Sequence, residues 1–441
     1  MAQHITRRWA RLGAVVGAGA MLVALAGCSG AASSTDSGST DTDAALKEDV
    51  TLTWWTWSDS TQEQADAISK VYPNVTFDVV KLENPDAAVT KLQNAIKAGK
   101  GAPDLMPVEY QTLPQLALGD ALADLTPYGL GDYADAFTAS TWNAVNVQDE
   151  LVGMPMDSGP MVMIYNKDLY DKAGITEAPA TWDDFAAASA AIHAYDPEAY
   201  IANSGDAGFF TSMIWASGGQ PFKTEGENIT IDLQDEGSKK FADFWNARLH
   251  AGELSGVPTW SDEWSKALTQ DKLGTLMMGS WMISGMNDYG TLGKWRVAQI
   301  PSWDGQPASA ENGGSALTVT SQSANKAAAA GILKYLSEGE GRELINANGF
   351  PSTIADLENP EFLDFAYESY GGQPANQQGA LSAESVLKGW QYLPYQGYAN
   401  NVFTDSVGKA LGSDGDLNAA LVEWQETLVE FGNEQGFSVN K

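Results

Sequence analysis

The chain reads as an α/β protein, on two observations. Between Val50 and Tyr110, β-branched and aromatic runs alternate with helical segments in the order β-α-β-α-β, the pattern of mainly parallel sheets covered by helices. The apolar content, 44% of 441 residues, is ample for two or three domain cores.

Each element has its own signal. "VTLTWWTW" (50–57) is a strand, and Ser60 with Glu63 three residues later spells a capping box that opens a helix. "VTFDVVKL" (75–82) is the second strand. "AAVTKLQNAIKAG" (87–99) sets Val89, Leu92 and Ile96 on one helical face and ends at a C-capping glycine. "APDLMPVEY" (102–110) is the third strand, with a helix through Leu113, Leu116 and Leu118 after it. Strand ends of such a run open on one side, where ligands of open α/β sheets bind. A second unit starts near Gly153, and its run of Met154, Met156, Met161 and Met163 suits strand core. Near the end, 419–432 is an amphipathic helix with Leu421, Trp424, Leu428 and Phe431 on its buried stripe.

The N-terminal segment stands apart. Arg7, Arg8 and Arg11 precede an apolar run, 12–27, that is too short and glycine-rich for a comfortable membrane span. It ends in "LAGC", and Cys28 is the chain's only cysteine. This resembles the lipobox of bacterial lipoproteins, which implies a signal peptide over 1–27 and lipidation of Cys28. The Arg pair also permits twin-arginine export. Residues 28–45 contain no large apolar residue and read as a flexible tether.

Composition excludes several functions. The formal charge is −32, and the basic residues of the signal segment would leave with it, so nucleic acid is not an expected partner. His193 and His250 stand alone after Cys28, with no zinc spacing, and no nucleophile elbow, P-loop or dinucleotide fingerprint is present. No cofactor or metal is expected. Paired carboxylates of the glycosidase kind remain open among 57 acids.

Aromatics are the enriched chemistry, with 15 Trp, 15 Tyr and 14 Phe. Trp54, Trp55, Trp245 and Trp424 are assigned to core. Others stand beside short polar residues at strand ends or loops: Trp57-Ser58-Asp59, Glu109-Tyr110-Gln111, Trp215, Trp281, and "LPYQGYANN" (393–401). Flat rings for the C–H faces of a sugar, with carboxylates and amides for its hydroxyls, are what carbohydrate binding requires.

Four segments carry a family resemblance over roughly the whole chain after the tether. They are "GMPMDSGPMVMIYNKDLYDKAGI" with "PATWDDFAAAS", "DKLGTLMMGSW" (271–281), "SALTVTSQSANKAAAAGILKYL" (315–336) and "NGFPSTIADL" (348–357). Together they resemble the solute-binding proteins of carbohydrate ABC importers, the cluster that includes maltose-binding protein. The resemblance implies a two-lobed periplasmic-binding-protein-like fold with a hinge and an interlobe cleft. One lobe would take 46–157 plus 315–366, the other 158–314 plus 367–441.

It also implies a monomeric, lipid-anchored binding subunit on the extracellular face of the membrane. Such a subunit would have no catalytic activity and would hand an oligosaccharide to separate ABC permease subunits. Ligand contacts carried over are Trp57, Ser58 and Asp59 from the first strand end, and Glu109, Tyr110 and Gln111 from the third. Trp281 and Trp215 are expected stacking platforms, and Tyr395, Tyr398 and Asn400 a late aromatic patch. A carboxylate of the maltose binder aligns with Gly159, so Asp157 is taken as its substitute and maltodextrin is disfavoured. The rival readings are a secreted glycoside hydrolase and a binding protein for a non-sugar solute.

Overall fold

A computed structural model describes residues 40–289, 292–346 and 349–441; the expected signal peptide, Cys28 and the tether up to Ser39 lie outside them. Residues 42–45, expected to belong to the tether, are structured instead. Thr42–Ala45 form a helical turn capped by Asp41, and Thr42 and Leu46 are buried against the helix Lys326–Leu336. Leu46 is the apolar anchor that makes this worthwhile.

Two sheets organise the chain. Their strands, in order, are β1 (Val50–Thr56), β2 (Val75–Lys81), β3 (Leu105–Glu109), β4 (Met154–Pro155), β5 (Met161–Asn166), β6 (Thr275–Gly279), β7 (Trp295–Gln299) and β8 (Ser315–Val319). The first sheet runs β2-β1-β3-β8-β4 and the second β6-β5-β7.

The parallel arrangement expected from the sequence holds for β1, β2 and β3. In the rest of these two sheets it fails: β8 is antiparallel to β3 and β4, and β5 is antiparallel to both its neighbours. The chain crosses between lobes, and that explains the difference. Strands β1 and β3 end at the crossing side. A strand entering from the other lobe must begin there, so Ser315 of β8 pairs with Glu109, the last residue of β3. In the second lobe, β5 enters at Met161 opposite Gly279, the last residue of β6.

Alternation along β5 feeds two cores. Met161 and Met163 join Phe185, Phe210, Trp245 and Trp424, while Val162 and Ile164 join Trp264, Met278, Met282 and Tyr370. The methionines are therefore core. The first lobe packs Leu52, Trp54, Trp55, Leu105, Val108, Leu317 and Ile332 around its sheet. Trp54 and Trp55 are both buried, and the Lys91 ammonium sits 4.1 Å from the Trp55 ring centroid. Burying a large aromatic on each face of β1 contributes on the order of 2–3 kcal/mol apiece.

The local capping signals hold at one helix and not at another. Gly99 caps its helix in the left-handed conformation, as expected. Ser60 occupies the N-cap of Thr61–Val71 but makes no cap hydrogen bond, because its hydroxyl pairs with Ser58 at 2.8 Å. The stretch 349–366 straddles the lobes. Phe350, Leu357 and Phe362 pack with Trp264 and Tyr370, whereas Arg342 pairs with Asp356 and Thr138 N–H donates to the Ser352 carbonyl.

Three segments cross together at the hinge: 157–160, 311–315 and 349–352. Ser158 bridges to Phe350 and Pro160 to Glu311. The Asn312 N–H donates to the Gly159 carbonyl at 2.7 Å, and the Gly159 N–H to the Glu311 carboxylate at 2.8 Å.

Candidate functional site

The crossing segments separate two cavities. Consecutive residues point opposite ways: Glu311 lines one cavity and Asn312 the other, as Tyr110 does against Glu109 and Gln111. The cavity on the side where β3 ends has a volume of about 1330 Å³, above the usual range of roughly 300–1,000 Å³ for small-molecule sites. It lies at the strand ends of the first lobe, the position an open α/β sheet reserves for ligands.

Its two walls differ in chemistry. The first lobe offers Asp86, Thr90 and Gln93 from the helix Pro85–Ala98, then Glu109, Gln111 and Gln115. The second lobe offers aromatic surface from Phe209, Trp260, Trp281 and Tyr398, edged by Asn203, Asp206, Asn312, Asn400 and Asn401. Among the described lining residues three are carboxylates and one, Lys409, is basic. A neutral polyhydroxyl ligand suits such a site, with ring faces on one wall and hydroxyls on the other.

The platforms are held firmly. Trp281 donates its indole N–H to the Asn312 carbonyl at 2.8 Å. Gly279 and Gly159 make room for this contact. A Cβ on Gly279 would lie 2.2 Å from the Trp281 Nε1, and one on Gly159 2.2 Å from the Asn312 carbonyl oxygen. A side chain at Gly159 would therefore collide with the crossing segment. Tyr398 is stacked face to face on Phe431, ring centroids 3.6 Å apart.

Electrostatics converge on the same region. Burial, with repulsion from Asp86, pushes the Glu109 carboxyl up to about 7, although Gln111 donates to it at 2.9 Å. Burial likewise pushes Asp157 up to about 7, against the pull of the Ser315 N–H, with Glu109 and Glu311 adding to the rise. Glu311 is raised by burial and held down by Ser140 and Gly159.

Of the residues read from the sequence, Glu109, Gln111, Trp281, Tyr398 and Asn400 meet around this cavity. The others do not line it. Trp57 packs on the first-lobe core. Ser58 is engaged with Thr56 and Ser60, and exposed Asp59 pairs with Lys81. The turn after β1 satisfies itself. Tyr110 is buried and donates its hydroxyl to the Asp157 carbonyl at 2.7 Å. The Asp157 carboxylate is taken by the Ser315 N–H. Trp215 stacks on Trp390 at 5.0 Å on the opposite side of the hinge, its indole N–H donated to Leu387. Tyr395 is core, with its hydroxyl on the Leu428 carbonyl.

Sequence reasoning missed Asp86, Gln93, Asn203, Asp206, Trp260 and Asn312. Asp86, Thr90 and Gln93 recur at helical spacing, a legible polar stripe. Asp206 caps the helix Ala207–Ala216, and its small polar surroundings "NSGDAG" were a usable sign of a turn at a site. Asn312 gave no local signal, since its partners lie about 30, 100 and 150 residues away in sequence.

Two α/β lobes hinged at three crossing segments around a polar and aromatic cleft define a solute-binding protein. The chain belongs to the bacterial extracellular solute-binding protein family, whose family model matches residues 49–343. It is similar to the ABC-transporter-associated binding protein of B. animalis subsp. lactis Bl-04 solved with beta-1,6-galactobiose. The two are 35% identical, with a TM-score of 0.79 over 89% of this chain and 99% of that one. It is also similar to the galacto-N-biose-/lacto-N-biose I-binding protein of Bifidobacterium longum, solved with lacto-N-biose. Here identity is 26% and the TM-score 0.78, over 89% of this chain and 99% of that one. An arabinooligosaccharide-binding protein of Halalkalibacterium halodurans is 25% identical over 333 residues, 71% of this chain and 74% of that protein.

Proposed function

We propose that this protein captures a neutral oligosaccharide in the interlobe cleft and presents it to the permease subunits of an ABC importer. One observation carries the reading: an aromatic wall on the second lobe faces a carboxylate and amide wall on the first, across a cleft of about 1330 Å³. The named ligands of the similar proteins, galactobiose, lacto-N-biose and arabinooligosaccharides, are short neutral sugars and support it. The protein acts as a monomer without catalytic turnover. Lipid on Cys28 holds it at the extracellular face of the membrane, on a tether ending near Thr40. Lobe closure about the segments 157–160, 311–315 and 349–352 brings the polar wall onto the bound rings.

The test is a melting-temperature and calorimetric screen with beta-1,6-galactobiose, lacto-N-biose and arabinotriose, followed by chromatography of the sugar. Saturating ligand at a hundredfold excess over Kd adds about 2.7 kcal/mol of stability. Binding with the sugar recovered intact supports the reading. Cleaved sugar would favour a glycoside hydrolase instead, and binding of a peptide or polyamine alone would move the ligand class.

A further inference from the structure

Trp260 is out of place by two criteria. It is the most exposed tryptophan among the described residues, at 53%, and its backbone has φ +70°. That region is a genuine outlier for a bulky side chain, and a glycine would occupy it without strain. The hydrogen bonds that set the loop do not involve the ring. Ser261 caps the helix Asp262–Thr269 through the Trp264 N–H and donates its hydroxyl to the Pro258 carbonyl. Strain of this kind survives where the surroundings hold it for a purpose.

The ring's neighbours indicate the purpose. Trp260 lies on Trp281 with centroids 5.8 Å apart and planes 29° from parallel, and it leans on fully buried Trp264 at 5.1 Å. A separation of 5.8 Å falls in the offset-stacked range, so the pair makes a stepped aromatic surface. Trp281 is the inner step, pinned to the hinge by Asn312. Trp260 is the outer step, half open to solvent and lining the same cavity.

We propose that Trp260 is a specificity-determining platform: Trp281 takes one sugar ring, and Trp260 takes the apolar face of the next. The cleft thereby favours disaccharides and longer chains over monosaccharides. This rests on the oligosaccharide reading and adds to it the residue that reads chain length. The strained backbone fixes the ring before ligand arrives, so little side-chain freedom is lost on binding.

The experiment compares wild type, Trp260→Gly, Trp260→Phe and Trp281→Ala for binding of galactose, beta-1,6-galactobiose, lacto-N-biose and arabinotriose, with melting temperatures taken without sugar. Trp260→Gly is expected to melt at or above the wild-type temperature. It should bind the di- and trisaccharides roughly tenfold to a hundredfold more weakly, with a clearly smaller loss for galactose. Trp260→Phe should retain most of the affinity. A fall in melting temperature with unchanged sugar affinity would mark Trp260 as a structural cover and overturn the proposal. Equal losses for galactose and the longer sugars would also overturn it. If wild type binds none of the sugars, the oligosaccharide reading fails and this proposal fails with it. Wild-type binding that Trp260→Gly leaves intact sinks only the role of Trp260.

Discussion

The indole N–H of Trp281 donates to the main-chain carbonyl of Asn312 at 2.8 Å. This single bond ties the inner aromatic platform of the second lobe to a segment on which the lobes turn. Position and closure are therefore linked, because Asn312 also donates its side-chain amide to the Ser212 hydroxyl and its main-chain N–H to the Gly159 carbonyl.

Trp281→Ala removes both the platform and this tie. Sugar affinity should fall by about 2 kcal/mol or more, the cost of truncating an aromatic anchor in a cleft. Trp57→Ala and Trp215→Ala serve as controls, since neither residue lines the cleft, and both should keep the wild-type Kd by calorimetry. Equal affinity loss in all three would show that the tryptophans act only through stability.

Gly159→Ala tests the crossing itself. A Cβ there would lie 2.2 Å from the Asn312 carbonyl oxygen, a backbone atom that cannot swing aside. The hinge must open to accept it, at roughly 1–3 kcal/mol by analogy with overpacked cores. Urea unfolding should show that loss, together with weaker sugar binding as Asn312 shifts under Trp281. A variant as stable as wild type would mean that the crossing segments are soft.

The fold was legible where local periodicity and topology agree. "VTLTWWTW", the glycine-capped helix before Gly99 and the strand ending at Glu109 each carry their own signal, and the strand-end rule led to Glu109 and Gln111. The same rule misled at Trp57, because a rule about strand ends does not see that Ser58, Ser60 and Thr56 close the turn among themselves. The expectation of mainly parallel sheets does not reach the second sheet, because strand direction there depends on where the chain re-enters from the other lobe. Gly159 and Asn312 are about 150 residues apart and meet only through that crossing. Nothing in 11 or 18 consecutive residues can announce such a contact.

Asp59→Ala separates surface from site. Asp59 pairs with Lys81 at an exposed position outside the cavity, and exposed pairs of this kind contribute about 0–1 kcal/mol. Stability and sugar affinity should both stay near wild type. Glu109→Ala, by contrast, deletes a lining carboxylate and frees Gln111, and it should weaken binding by roughly 1.5–3 kcal/mol. Calorimetry on the pair decides whether the carboxylate that matters lies at the end of β1 or of β3.

The hinge carboxylates predict a pH dependence. Glu109 and Asp157 titrate near 7 in the folded protein because burial disfavours their charged forms; unfolded, they would titrate near 4. Between those values the folded chain holds protons that the unfolded chain has released. The unfolding free energy contributed by these groups therefore falls as pH rises from about 4 to about 7 and is level above that. The slope is about 1.4 kcal/mol per pH unit for each group at its steepest. Asp157→Asn keeps an acceptor for the Ser315 N–H but removes the titration, and Glu109→Gln does the same beside Gln111. The difference in stability between wild type and each variant should shift against the wild type across pH 5 to 7 and then stay constant. A difference independent of pH would show that the two carboxylates are solvated in solution and carry no strain at the hinge.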